Sequence, residues 1–99
     1  STTVIDSFSA ASYRTAKSIV QITDGIGPTA KFHVVEIVVL LDNVGNVYKS
    51  EYGIITTGGE RGVFDVDYNV GGNGLVRLLF AASAASSKVV KVVRQSISR

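Results

Sequence analysis

A chain of 99 residues without a single cysteine has room for one domain, and it excludes thiol catalysis, disulfide frameworks and cysteine metal sites. Its stability must come from burial, sheet hydrogen bonds or association. Hydrophobic residues make up 45% and charged residues only 18%, below the usual quarter, so part of the exterior is expected to be covered by a partner or by further copies.

The net charge of +2 comes from ten basic residues spread from Arg14 to Arg99, with eight acidic ones interleaved. That is a weak footprint for nucleic acid, which is not expected as a partner. Only the end, Lys88, Lys91, Arg94 and Arg99, is locally basic, and its charges alternate with valines as on a solvated strand. The longest apolar run falls far short of the eighteen or so residues that span a bilayer, and no signal-peptide pattern opens the chain. A soluble product of the cytoplasm in which it is made, with no membrane partner, is expected. Methionine is absent, so an initiator is expected to have been removed ahead of Ser1.

Residues Thr2 to Phe8 alternate loosely, Val4, Asp6 and Phe8 against Thr3, Ile5 and Ser7. They form a short strand or, together with the rest of residues 1–10, an arm that docks on a neighbour through Ile5 and Phe8. In Tyr13 to Thr23 the even positions Ala16, Val20 and Ile22 are apolar while Thr15, Lys17 and Gln21 are polar, with Ile19 the exception. Period two indicates a half-buried strand. The glycines and the single proline of Asp24-Gly25-Ile26-Gly27-Pro28 end it.

Phe32 to Asp42, FHVVEIVVLLD, holds four valines, one isoleucine and two leucines around one carboxylate, Glu36. Branched residues at this density favour a pleated strand, and an apolar run this continuous requires cover on both faces. Asp42-Asn43-Val44-Gly45-Asn46 is a hairpin turn made of residues that tolerate positive φ. The returning strand, Val47 to Thr57, sets Tyr48, Ser50 and Tyr52 against Val47, Lys49 and Glu51.

After the reversal at Thr57-Gly58-Gly59-Glu60, the strand Val63 to Asn69 puts Phe64, Val66 and Tyr68 on one face and Asp65 and Asp67 on the other. Gly71-Gly72-Asn73-Gly74 turns the chain into Leu75 to Ala82, whose single charge, Arg77, suits a cross-strand salt bridge to Asp65 or Asp67. A helix over LVRLLFAASAAS is the competing reading, since alanine and leucine favour helix. The glycines before it and the serines after it favour a strand. Lys88 to Ile97 fits an outer strand, where lysine discourages unwanted pairing.

Seven short strands with glycine-rich turns point to an all-β fold, an antiparallel β-sandwich or small barrel spanning residues 1–99. The assumed register puts Phe32, Val34, Val38, Leu40, Phe64, Val66, Val76, Leu78, Phe80, Val90 and Val92 inside. The opposite face of the central strand, His33, Val35, Ile37, Val39 and Leu41, then needs a second cover. Burying its four aliphatic side chains is worth on the order of 6–12 kcal/mol, comparable with the whole stability of a small domain. Val35, Ile37, Val39 and Leu41, with Ile5 and Phe8 of the N-terminal segment, are therefore the candidate interface.

No catalytic residue, cofactor site or metal site is expected. His33 is the only histidine, and Glu36, three positions on in a strand, points to the other face, so His33 reads as structural or as part of an interface. Asp65-Val66-Asp67-Tyr68-Asn69 opens like a calcium loop, but the sixth position is Val70 and the twelfth is Val76, where such a loop needs glycine and glutamate. Gly58-Gly59-Glu60-Arg61-Gly62 and Gly71-Gly72-Asn73-Gly74 lack the lysine and following helix of a phosphate cradle and read as turns. Tyr13, Tyr48, Tyr52 and Tyr68 form a sugar platform only if the fold groups them.

Four segments, IDSFSAASYRTAKSIVQITDG at 5–25, VVEIVVLLDN at 34–43, SEYGIITTGGERGVFDVD at 50–67 and GLVRLLFAASAASSKVVKVVRQSI at 74–97, resemble a module of structural proteins from tailed bacteriophages, marine and cyanobacterial ones above all. The resemblance covers nearly the whole chain in order and spacing. It implies a virion location and a structural role in the tail, neck, fibre or capsid decoration, and no catalytic residues.

The leading expectation is therefore a non-enzymatic virion protein that assembles with copies of itself or with other virion structural proteins. A host-surface glycan-binding module, using the tyrosines with Asp42, Asn43 and Asn46, is the alternative. A hydrolase built on Asp65 and Asp67 is the third.

Overall fold

The computed structural model describes residues 2–83 and 88–98. Seven strands follow one another: β1 (Thr2–Ser9), β2 (Tyr13–Asp24), β3 (Lys31–Leu41), β4 (Val47–Thr56), β5 (Gly62–Tyr68), β6 (Leu75–Ala82) and β7 (Lys88–Ser98). They form two antiparallel sheets, β1-β6-β5 and β4-β3-β2-β7, that close face to face as a β-sandwich. Among the described residues the only helical elements are 3-10 turns at Gly27–Thr29 and Val70–Gly72. Leu75–Ala82 is strand, so the helical reading fails there; its continuation over 84–86 lies outside the described residues, as do Ser1 of the arm and Arg99 of the basic end.

The hairpin β3–β4 turns where the sequence places a turn. Asp42 Oδ1 accepts the backbone N–H groups of Val44 and Asn46 at 2.9 and 2.8 Å, and Gly45 takes φ 87°, which only glycine adopts without strain. At the start of β5, Gly62 is buried against β6; a Cβ there would meet the Ala81 carbonyl oxygen and stand 2.7 Å from the Phe80 ring.

Between the sheets lie Ala16, Val20 and Ile22 of β2, Val35, Ile37, Val39 and Leu41 of β3, and Phe64, Val76, Leu78 and Phe80 of the facing sheet. For β5, β6 and β7 the inward set is the expected one, with Val66, Val90 and Val92 packed on the core. For β3 the expected phase is inverted. Phe32 and Leu40, expected inside, are each 43% exposed on the outer face, where the half-buried Val34 and Val38 also lie.

The cause is the partner strand. Residues directly opposite in an antiparallel pair share a face, and Thr15, Lys17 and Gln21, the polar side of β2, stand opposite Leu40, Val38 and Val34. Strand β3 is aliphatic on both sides, so the polar residues of β2 decide which side faces water.

The two long sides of the sandwich are closed by charge. Lys49 and Glu51 on β4 pair at 2.6 Å from positions opposite the buried Val39 and Ile37. On the other side Arg94 of β7 reaches across to β1, donating to Asp6 Oδ1 at 2.9 Å and to the Ser7 carbonyl oxygen at 2.6 Å. Its guanidinium lies 5.6 Å from the centre of the Phe8 ring, a cation–π distance.

Candidate functional site

The candidate interface read from the sequence is not an exterior surface. Val35, Ile37, Val39 and Leu41 are 0–3% exposed beneath the chain's own second sheet, and Phe8 is buried with them. Ile5 packs partly against the same core. The N-terminal segment pairs with β6 from Thr2 to Ser9, as an edge strand and not as a projecting arm. The physical reason is the inversion of β3: the face reserved for a neighbour is the face that the three-stranded sheet covers. Cover on both sides of β3 is met on one side only.

The bare side is the outer face of β4-β3-β2-β7, and its composition follows from register. Along β3, Leu40 lies between Thr15 and Tyr48, Val38 between Lys17 and Ser50, and Glu36 between Ile19 and Tyr52. Strand β7 continues these rows with Ile97, Gln95 and Val93. Apolar side chains here are open to solvent: Ile19 is 44% exposed, Val93 66%, Ile55 68% and Ile97 65%. These aliphatic side chains share the face with Thr15, Lys17, Gln21, Glu36, Ser50, Lys91 and Gln95, and exposed apolar side chains gathered on one sheet face are a feature of interaction surfaces.

Near its centre Lys17 Nζ stands 3.5 Å from Glu36 Oε1 and 5.9 Å from the centre of the Tyr52 ring. The Glu36 carboxylate, and after it Tyr52, hold the Lys17 ammonium above its ordinary value of 10.5. Beside this pair Lys17, Ile19, Val93 and Gln95 line a shallow dimple of about 90 Å³, far smaller than the several hundred Å³ of a small-molecule site.

The other sequence candidates do not converge. Tyr48 and Tyr52 share the outer face, whereas Tyr13 packs edge-on against Phe8 and Tyr68 sits against the core; no platform of four tyrosines is assembled. The loop residues Asp42 and Asn43 are engaged within the fold. Asp42 accepts from Val44, Asn46 and Tyr48, and Asn43 Oδ1 accepts from Arg14 at 2.7 Å. Asp67 binds Arg77 through two hydrogen bonds of 2.8 and 2.7 Å, the cross-strand bridge anticipated from the sequence. Among the described residues no group of three or more His, Asp or Glu side chains is placed to hold a metal.

His33 is fully buried. Its Nδ1 accepts the Arg61 backbone N–H at 3.2 Å, its ring stands edge-on to Phe64 at 5.7 Å, and Nε2 has no hydrogen-bond partner among the described residues. Burial holds its pKa below the ordinary 6.5, with Glu60 and Glu51 opposing and Arg61 adding to the depression.

Ile19, Ile55, Val93 and Ile97 were not placed in the candidate interface by sequence reasoning. The signal was present: Ile19 breaks the polar side of β2, and β7 carries valines in pairs, which places aliphatic side chains on both of its faces. An antiparallel β-sandwich with one uncovered apolar sheet face is the class of molecule these features define. Compared with known proteins, the chain matches no protein-family model and no curated protein.

Proposed function

We propose that this chain is a non-enzymatic structural protein of a virus particle, a β-sandwich that docks through the outer face of its four-stranded sheet onto copies of itself or onto other particle proteins in the tail, neck, fibre or capsid surface. The observation that carries the docking role is the exposure of Ile19, Val93, Ile55 and Ile97 on one continuous sheet face. The virion location is supported by the resemblance of the four segments to tailed-phage structural modules.

Surface of this character is costly to leave in water and unusual on a free monomer. The remaining polar constellations are engaged in holding the fold, as the Asp67–Arg77 bridge and the Asp42 turn illustrate. Antiserum against the folded chain, applied to purified tailed particles of the source virus, is expected to label one fixed location in electron micrographs. Particles that stay unlabelled while the protein is found only in the soluble lysate would overturn the reading.

A further inference from the structure

We infer that the outer face of the four-stranded sheet is self-complementary and that its first partner is a second copy of this chain, related by a two-fold axis that sets each Lys17 over the Glu36 of the other copy. The inference rests on the docking role proposed above and names its partner.

Lys17 and Glu36 are diagonal neighbours on this face: Lys17 lies opposite Val38, and Glu36 lies opposite Ile19. They occupy the two middle strands of the order β4-β3-β2-β7, so an axis between them passes through the middle of the sheet. An interface of two-fold symmetry must match itself, residue i meeting j while j meets i. A paired lysine and glutamate satisfy that condition, because the exchange turns one intrachain ion pair into a ring of four alternating charges.

The rest of the face can be placed on the same axis. Strands lie about 4.8 Å apart and same-face residues about 6.8 Å apart along each strand. On that lattice the axis that exchanges Lys17 with Glu36 runs beside Ile19 and Val93, so these two meet their own counterparts at the centre. Ile97 at one corner falls over Ile55 of the copy, and Leu40 falls near Tyr52 of the copy. Exposed aliphatic residues thus meet one another. Val34 and Gln21 both fall beside Gln95 of the copy, so this margin of the contact is mixed in polarity.

The strands of the two copies cross at about 70°, towards the orthogonal class of sheet packing. Sheets crossed in this way overlap over about 400 Å² of flat area per copy before side-chain relief is added, which places the contact at the small end of specific interfaces. The pairing is accordingly weak and reversible.

The test is sedimentation velocity on the full chain from about 5 µM to about 1 mM, a range that reaches weak pairing. The wild type is expected to pass from monomer to dimer. Lys17→Glu alone and Glu36→Lys alone each place like charges across the axis and are expected to weaken pairing by about tenfold or more. Their equimolar mixture restores opposite charges at both contacts and is expected to return pairing to near the wild-type value. Circular dichroism on each variant confirms that it is folded.

A wild type that is monomeric at the highest concentration overturns the inference. So does a dimer that persists in both single variants, which would assign pairing to a strand edge instead. The docking role is judged separately by Ile19→Glu with Val93→Glu. If this variant is folded but fails to enter particles while the wild type is monomeric in solution, the face docks on another protein. Unimpaired incorporation overturns the role of the face itself.

Discussion

Replacing His33 tests the core from within. The ring is fully buried, its Nδ1 is occupied as acceptor by the Arg61 N–H, and its Nε2 faces no partner among the described residues. The neutral ring therefore carries its proton on Nε2. A second proton would have to enter at Nδ1, against a donor and out of reach of water. Burial, the first cause of the lowered pKa, means that the unfolded chain takes up this proton more readily than the folded one. Stability rises with pH wherever the unfolded state binds more protons, so the His33 contribution is fully present above the unfolded value of 6.5 and is lost as pH falls below it, down to the depressed folded value. The limiting slope is about 1.4 kcal/mol per pH unit. Any loss on acidification therefore registers as a fall in Tm, by about 4–8 °C for each kcal/mol in a domain of this size. As the chain has one histidine and carboxylates titrate mainly below this window, the assay is direct: thermal melts between about pH 8 and 5 on the wild type and on His33→Phe, which keeps an aromatic ring against Phe64. His33→Phe is expected to melt lower at neutral pH, having no acceptor for the Arg61 N–H, but to show a flat profile across the window. A flat wild-type profile, or an equal slope in both proteins, would refute the reasoning.

Three further outcomes are expected. Ile37→Ala should lower stability in urea by about 2–5 kcal/mol by opening a cavity in the core, while Val38→Ala, on the outer face, should cost clearly less; the reverse order would mean that the phase assigned to β3 is wrong. Gly62→Ala should destabilise by about 1–3 kcal/mol through overpacking, because its Cβ would press on the Ala81 carbonyl and the Phe80 ring; an unchanged urea midpoint would contradict the close approach of β5 and β6. The backbone N–H of Asn46 and then that of Val44 hold the Asp42 carboxyl below its ordinary 3.8, so its contribution is present above that value and disappears as pH falls through the lower folded one. Asp42→Asn should flatten that part of the acid limb, and a superimposable acid denaturation curve would count against the turn.

Strand by strand, most of the fold was legible because turns and alternation spoke clearly. Glycines and Asx residues marked the reversals, and the polar alternates of β5 and β6, Asp65, Asp67 and Arg77, gave both the inward set and the bridge that joins them. Strand β3 was legible as a strand but not in phase. Valine, isoleucine and leucine on both its sides carry no information about which side meets water. The missing information lay elsewhere, in Lys17 and Gln21 of β2, and it becomes usable only once the β2–β3 register is known. Glu36 carried the same message locally, since a lone carboxylate in an apolar strand belongs on the face that water reaches. The expected interface was displaced for that reason: the face assigned to a neighbour, Val35, Ile37, Val39 and Leu41, is the one the chain's own second sheet covers.

Which part of this surface is left to recruit a partner follows from how the sheet edges are built. A free edge strand offers unpaired backbone groups and invites strand addition, and proteins blunt it with bulges, inward-pointing charge or short length. Three of the four edges here have at least one such device. Strand β1 shifts register between Val4 and Asp6 and carries Asp6 towards Arg94. Strand β4 shifts opposite Val34 and Glu36, around Gly53 with φ 64°, and bears the Lys49–Glu51 pair. Strand β7 directs Arg94 back across the opening between the sheets. An edge so furnished resists a neighbouring strand, while the outer face leaves Ile19, Val93 and Ile97 open to solvent between the Lys17–Glu36 pair and Lys91. Association through side chains on the sheet face is therefore favoured over backbone pairing at its margins. Assemblies formed by the wild type should then show no gain in β-sheet hydrogen bonding, and amide hydrogen exchange at the β7 edge should be as fast in the assembly as in the monomer.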